Sequence, residues 1–167
     1  MREIFSEIVI KAKPSKVWEI LVDFASYPEW NPFVRKIEGE LAVGSTLEVT
    51  IQVPNRDIMT FNPVVVKANP NEEFRWKSKM WARFLFAGEH YFILEPVGEE
   101  STKLIQGEKF TGILVPFLAK PSNEAPLGFI EFNRAIKERS ENNHSSKILS
   151  SILPENKVFK EFQVEST

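Results

Sequence analysis

Strand-like runs, in places with polar and apolar residues alternating at a two-residue period, succeed one another along the chain, and helical spacing replaces them near Pro14 and again past Pro121. Ile4 to Lys11 is rich in β-branched and aromatic residues and reads as a strand. Pro14 follows, and its fixed φ suits the first turn of a helix. From Ser15 onward Val17, Trp18, Leu21 and Val22 recur at helical spacing, and Pro28 and Pro32 then confine Ala25 to Phe33 to a second, short helical turn.

Six further strand-like runs follow: Val34 to Leu41, Thr46 to Val53, Ile58 to Ala68, Phe74 to Trp81, Phe84 to Glu95 and Lys103 to Thr111. Turn-forming residues separate them, among them Val43-Gly44-Ser45, Pro54-Asn55-Arg56-Asp57, Asn69-Pro70-Asn71 and Pro96-Val97-Gly98. The gaps are too short for crossover helices, so the strands connect as hairpins in an antiparallel meander. Such a sheet buries one face. Alternation puts Leu47, Val49, Ile51 and Val53 on one side of their strand, and Phe74, Trp76, Ser78 and Met80 on the inner side of theirs. The opposite row, Arg75, Lys77 and Lys79 with Lys67, reads as a solvated face; an anion-binding strip is the alternative.

The second helical stretch runs from about Asn123 to Glu141, with Ser122 or Asn123 as N-cap, Glu124 in the first turn and Lys137 and Arg139 near the end. Its apolar stripe is Ala125, Phe129, Phe132 and Ile136. The polar run Asn142 to Ser146 then separates a last segment. The expected organisation is therefore one α+β domain over residues 1–142, with residues 143–167 as an extension, either a short helix or a mobile tail.

Composition narrows the function. With 167 residues, 43% hydrophobic, the chain can bury a core without cross-links, and it contains no cysteine for disulfides, thiolate metal sites or thiol nucleophiles. A formal charge of −2 offers no general attraction for nucleic acid. No run approaches the ~20 apolar residues of a bilayer span, and Met1-Arg2-Glu3 opens no apolar signal core, so the expected location is cytoplasmic. No Walker loop, dinucleotide-binding glycine pattern, nucleophile elbow or His-Glu-x-x-His helix occurs, and a metal site has only His90 and scattered carboxylates to draw on. No cofactor and no resident metal are expected, and the sequence carries no signal for an oligomeric state.

Several pieces in order resemble a known superfamily. Ile10 to Pro14, Val17-Trp18-Glu19-Ile20-Leu21, Asp23-Phe24 and Tyr27 to Phe33 are similar to the opening of SRPBCC, or START-like helix-grip, proteins. Gly88 to Phe92 with Glu95-Pro96, Gly107 to Gly112, and Phe129 to Lys137 continue the resemblance, which points to the branch of polyketide cyclases, dehydrases and lipid-transport proteins. It covers Met1 to about Asn142. The resemblance implies a seven-stranded curved antiparallel sheet wrapped around a long C-terminal helix, two short helices after the first strand, and a hydrophobic cavity between sheet and helix. Its members include carriers, receptors and cyclases, so the fold leaves the chemistry open.

The residues themselves suggest where a ligand sits. If Leu94 faces Leu104, the hairpin places Phe92 opposite Gln106, His90 opposite Glu108 and Gly88 opposite Phe110, all on one inward row. There Glu108 is expected to accept from His90 and raise its proton affinity, with Gln106 supplying an amide and Trp76 a stacking surface. The alternative is that His90 and Glu108 only satisfy each other or the backbone. Phe129, Phe132 and Ile136 close the space from the helix, with Asn133 as a polar contact; Val49 and Ile51 line it from the sheet, and Trp30 and Phe33 form a lip or a packed corner. The leading reading is a carrier or sensor of a small hydrophobic ligand, lipid-like or aromatic. The alternatives are a cyclase or dehydratase using His90 and Glu108 as acid–base pair, and a protein-interaction module.

Overall fold

In the computed structural model, which describes residues 2–52, 57–80, 86–112 and 127–152 (at 79–80, 86 and 143–152 through the backbone alone), β1 is Arg2–Ile10. Its even-numbered residues turn inward, ending on the fully buried Ile10, while Glu3, Phe5, Glu7 and Val9 face out. Lys13 is extended, and Pro14 opens α1 (Pro14–Val22), which buries Val17, Trp18, Ile20 and Leu21. A 3₁₀ turn at Phe24–Ser26 and α2 (Tyr27–Trp30) fill the short helical segment expected there. The Tyr27 hydroxyl donates to the Leu21 carbonyl at 2.6 Å and locks α2 against α1. Asn31 then launches the next strand, its Oδ1 accepting from the backbone N–H groups of Phe33 and Val34 at 3.0 and 2.9 Å.

The strands that follow are β2 (Val34–Glu38), β3 (Glu48–Gln52), β4 (Ile58–Phe61), β5 (Val64–Asn69), β6 (Glu73–Met80), β7 (Phe86–Gly98) and β8 (Ser101–Thr111). Among the described residues there are thus eight strands rather than the seven expected. The run Ile58 to Ala68 is broken at Asn62-Pro63, where proline has no N–H to give to a ladder. The strands form a five-stranded sheet, β1-β8-β7-β6-β5, and a three-stranded one, β2-β3-β4, antiparallel throughout. The two are stitched together beside the break, where Leu47 N–H donates to the Pro63 carbonyl at 2.8 Å and Val65 N–H to the Ser45 carbonyl at 2.9 Å. Gly44, at φ 95°, makes the turn that brings Ser45 to this seam.

The closing helix α3 spans Leu127–Ile152. The expected end near Glu141 is not observed, because the polar run Asn142 to Ser146 carries no proline or glycine and the backbone continues through it as helix. The boundary expected at 142 therefore falls inside α3, and the expected N-cap at Ser122 or Asn123 lies outside the described residues. Phe129, Phe132, Asn133, Ile136 and Ser140 make the buried stripe of α3, at the spacing of one helix face. Its later turns dock on the first strand: Lys137 donates to the Val9 carbonyl and Glu141 accepts from the Lys11 N–H at 2.8 Å. The architecture is the helix-grip fold.

On the outer face, the Tyr91 ring lies on Gly107, where an added Cβ would overlap it. Its hydroxyl donates to Glu3 at 2.7 Å, and Arg75 and Lys109 flank the ring at 4.9 and 5.5 Å. Gly107→Ala is expected to expel the ring and lower stability by about 2 kcal/mol. Chemical denaturation of this variant and of Gly107→Ala/Tyr91→Ala tests it, since the second change should recover part of the loss only if the overlap is its cause.

Candidate functional site

Two rows of side chains cross the concave face. The first runs Ile4, Glu108, His90, Trp76 over β1, β8, β7 and β6; the second runs Ser6, Gln106, Phe92, Phe74 over the same strands. The hairpin register expected from Leu94 and Leu104 is the observed one at every pair. His90 sits among rings. Trp76 stacks on it at 4.9 Å and 10°, Phe92 lies at 4.9 Å, and Phe129 of α3 meets it edge-on at 5.1 Å and 85°.

The polar contact of the imidazole differs from expectation. Its Nε2 lies 3.1 Å from Gln106 Nε2, not against Glu108. With the amide donating, this nitrogen holds a lone pair, so the ring is neutral with its proton on Nδ1. Burial pushes the His90 pKa down to about 3, the opposite of the rise expected from a carboxylate partner. Glu108 turns the other way: its Oε1 occupies the space over Gly88, where even an added Cβ would stand 2.6 Å from it. Burial without a charge partner pushes that carboxyl up to about 7. Opposition in the ladder put the two residues side by side. The stacking of His90 on Trp76 and the missing side chain at Gly88 turned them apart.

Around this centre the aromatic residues interlock. Phe74 and Phe92 stack at 6.0 Å, and Phe132 lies 5.2 Å from Phe92, 5.8 Å from Trp30 and 6.2 Å from Tyr27. Phe33 contacts Phe129 at 5.9 Å and covers Gly128, at the start of α3. Val49 is buried, Ile51 is partly buried against the same cluster, and Phe110 is half-buried at the open end of β8. Trp30 is anchored as a corner, its Nε1 donating to Ser26 Oγ at 3.2 Å. It also walls an open surface recess of about 360 Å³ with Ala135, Glu138, Arg139 and Asn142. Ile136 and Asn133 complete the helix side. Sequence reading passed over Ser6, which the alternation of β1 places inward beside Gln106, and it placed Gly88 opposite Phe110 without seeing the room that residue leaves.

The described side chains of the basic row, Arg75, Lys77 and Lys67, are ion-paired on the outer face, and that of Lys79 lies outside the described residues. Arg75 and Lys77 bind Glu89 at 2.8 and 2.7 Å, and Lys67 and Arg75 both pair with Glu73. This is the solvated, ion-paired sheet face rather than a strip awaiting an anion. Among the described residues no group of three or more His, Asp or Glu side chains could hold a metal ion, and no helix is long and apolar enough to cross a membrane.

Over residues 1–130 the sequence matches the family described as polyketide cyclase / dehydrase and lipid transport. The chain belongs to that family. No curated protein matches the sequence. Among solved structures, norcoclaurine synthase from Thalictrum flavum, in complex with dopamine and hydroxybenzaldehyde, is similar at TM-score 0.62 and 12% identity, covering 84% of this chain and 87% of that one. The Zhui aromatase/cyclase from Streptomyces sp. R1128 is similar at TM-score 0.55 and 18% identity, covering 90% and 92%. Protein MLL2253 from Mesorhizobium loti is similar at TM-score 0.60 and 19% identity, covering 84% and 98%. At these identities the likeness is one of fold. In this member of the polyketide cyclase / dehydrase and lipid transport family, the sheet, α2 and α3 bring Trp30, Phe33, Trp76, His90, Phe92, Phe129 and Phe132 into one aromatic cluster, with Gln106 and Asn133 as its buried amides.

Proposed function

We propose that the protein binds a small hydrophobic molecule, lipid-like or aromatic, between the concave face of the sheet and α3, and acts as its carrier or sensor. One observation carries this reading: Gln106 and Asn133 are buried beside the aromatic cluster with amide atoms that find no partner among the described residues. Buried polar atoms are nearly always satisfied, and a ligand's polar end is one way to satisfy them. The aromatic surface supplies desolvation, and the amides supply orientation. The family's description, which includes lipid transport, supports the same reading.

A second reading draws on Glu108. A carboxyl pushed up to about 7 is divided between acid and base forms near neutral pH, as a cyclase or dehydratase requires of a proton-transfer group. Neutral His90 would then position the substrate rather than pair with Glu108 in proton transfer.

Native mass spectrometry of the freshly purified chain tests the first reading. A single apolar adduct is expected, together with one-to-one enhancement of the neutral dye Nile red that the adduct competes away. A bare mass combined with no dye binding rejects it. Glu108→Gln separates the two readings, because a carrier keeps its adduct and shifts only in affinity, whereas an enzyme loses turnover.

A further inference from the structure

The polar atoms of the concave face are unevenly served. Gln106 is fully buried and directs Nε2 to His90, which leaves its Oε1 without a partner among the described residues. Asn133 is 1% exposed, and among the described residues neither Oδ1 nor Nδ2 has a partner. The docking of α3 shows which way Asn133 looks. Lys137 and Glu141, one and two turns on along the same row, reach Val9 and Lys11 of β1 in ascending order. Asn133 lies about 6 Å before Lys137 on the helix, which is about two strand residues back from Val9. That is the level of Glu7, one residue along β1 from Ser6, which is in register with Gln106.

Around Gln106 and Asn133 the described residues offer an anion little, since the inward-facing cation of β1, Arg2, is only half-buried and is in register with Phe110, four strand residues from Ser6. The one imidazole is neutral and held by an amide, and among the described residues no lysine or arginine is buried. The one carboxyl of the inward row, Glu108, is shifted by burial with no charge partner among the described residues. An ionised ligand head would lose its hydration with no counter-charge in return. A hydroxyl loses far less, and it can donate to the Gln106 amide oxygen while accepting from Asn133 Nδ2.

Taking the ligand-binding reading as its basis, we infer that the site selects neutral ligands bearing a hydroxyl or a similar donor–acceptor group, seated between Gln106 and Asn133, and rejects the matching carboxylate. Fatty alcohols and phenols belong to the favoured class, and fatty-acid or aryl carboxylate anions to the excluded one.

Matched pairs test this: octanol against octanoate and naphthol against naphthoate, titrated calorimetrically into the full chain at about pH 7.5, where both acids are ionised. Each alcohol is expected to bind at least about tenfold more tightly than its acid. Carboxylates binding as well as the alcohols would overturn the selectivity and leave the ligand-binding proposal standing. Failure of all four to bind would overturn both. Asn133→Leu, close in shape, is expected to weaken alcohol binding by about tenfold without lowering the melting temperature of the free protein, since it removes two unpartnered atoms. A lower melting temperature with unchanged alcohol affinity would make Asn133 a packing residue and overturn its role.

Discussion

Phe132→Ala is expected to lower the unfolding free energy by about 4 kcal/mol, within the range seen for phenylalanine truncation in packed cores. The residue is fully buried, and its ring touches Phe92 from the sheet and both Tyr27 and Trp30 from α2. It therefore joins three parts of the molecule, and truncation leaves a void that a rigid sheet cannot close. Phe132→Leu keeps most of the volume and is expected to lose roughly 1 kcal/mol. Chemical denaturation measures both. A loss below about 1 kcal/mol for the alanine variant would mean that α3 does not grip the sheet through this side chain.

Glu108→Gln is expected to expose a pH dependence that the native protein hides. His90 falls from an ordinary 6.5 to about 3 on folding, so the unfolded chain takes up a proton that the folded one refuses. Its contribution to stability is complete above 6.5 and is lost as pH falls towards 3. Glu108 rises from an ordinary 4.5 to about 7, so the folded chain holds a proton that the unfolded one has released. Its contribution is complete below 4.5 and is lost as pH rises through 7. Between 4.5 and 6.5 the two slopes have opposite signs and nearly cancel. With glutamine at 108, stability should fall by roughly 2–3 kcal/mol as pH drops from about 7 to 4.5. His90→Phe should give the mirror image, falling by roughly 2 kcal/mol as pH rises over that window, the smaller figure reflecting the partial solvent contact of Glu108. Glu73, Glu89 and Glu141, held below the usual carboxylate range by their Lys and Arg partners against the opposing effect of burial, act lower in pH and alike in all variants. Denaturation midpoints across this window decide the matter, and parallel curves for the two variants and the native chain would sink it.

Much of the fold was legible in the chain because its signals are local. Leu94 and Leu104 set a register whose two-residue period carries Phe92, His90, Gln106 and Glu108 inward without further information. Pro14 marked the start of α1, and Phe129, Phe132 and Ile136 marked the buried stripe of α3. The break at Pro63 was also in the sequence, as a proline within an apolar run, yet that run read as one strand because β-branched residues flank it on both sides. The end of α3 was misplaced for a different reason. A polar run mimics a linker, but without proline or glycine nothing forbids the helix from continuing.

By itself the sequence determined most of the element order and the inward rows of β6, β7 and β8, since periodicity and turn chemistry act within a few residues of each position. Only the tertiary structure decided what His90 and Glu108 do there. Their rotamers answer to Trp76 on β6, Phe129 on α3 and the empty side of Gly88, and burial by those neighbours moves the two proton affinities in opposite directions. No spacing along the chain encodes which of several cross-strand neighbours a side chain will turn towards, because that choice is made by packing among residues far apart in sequence.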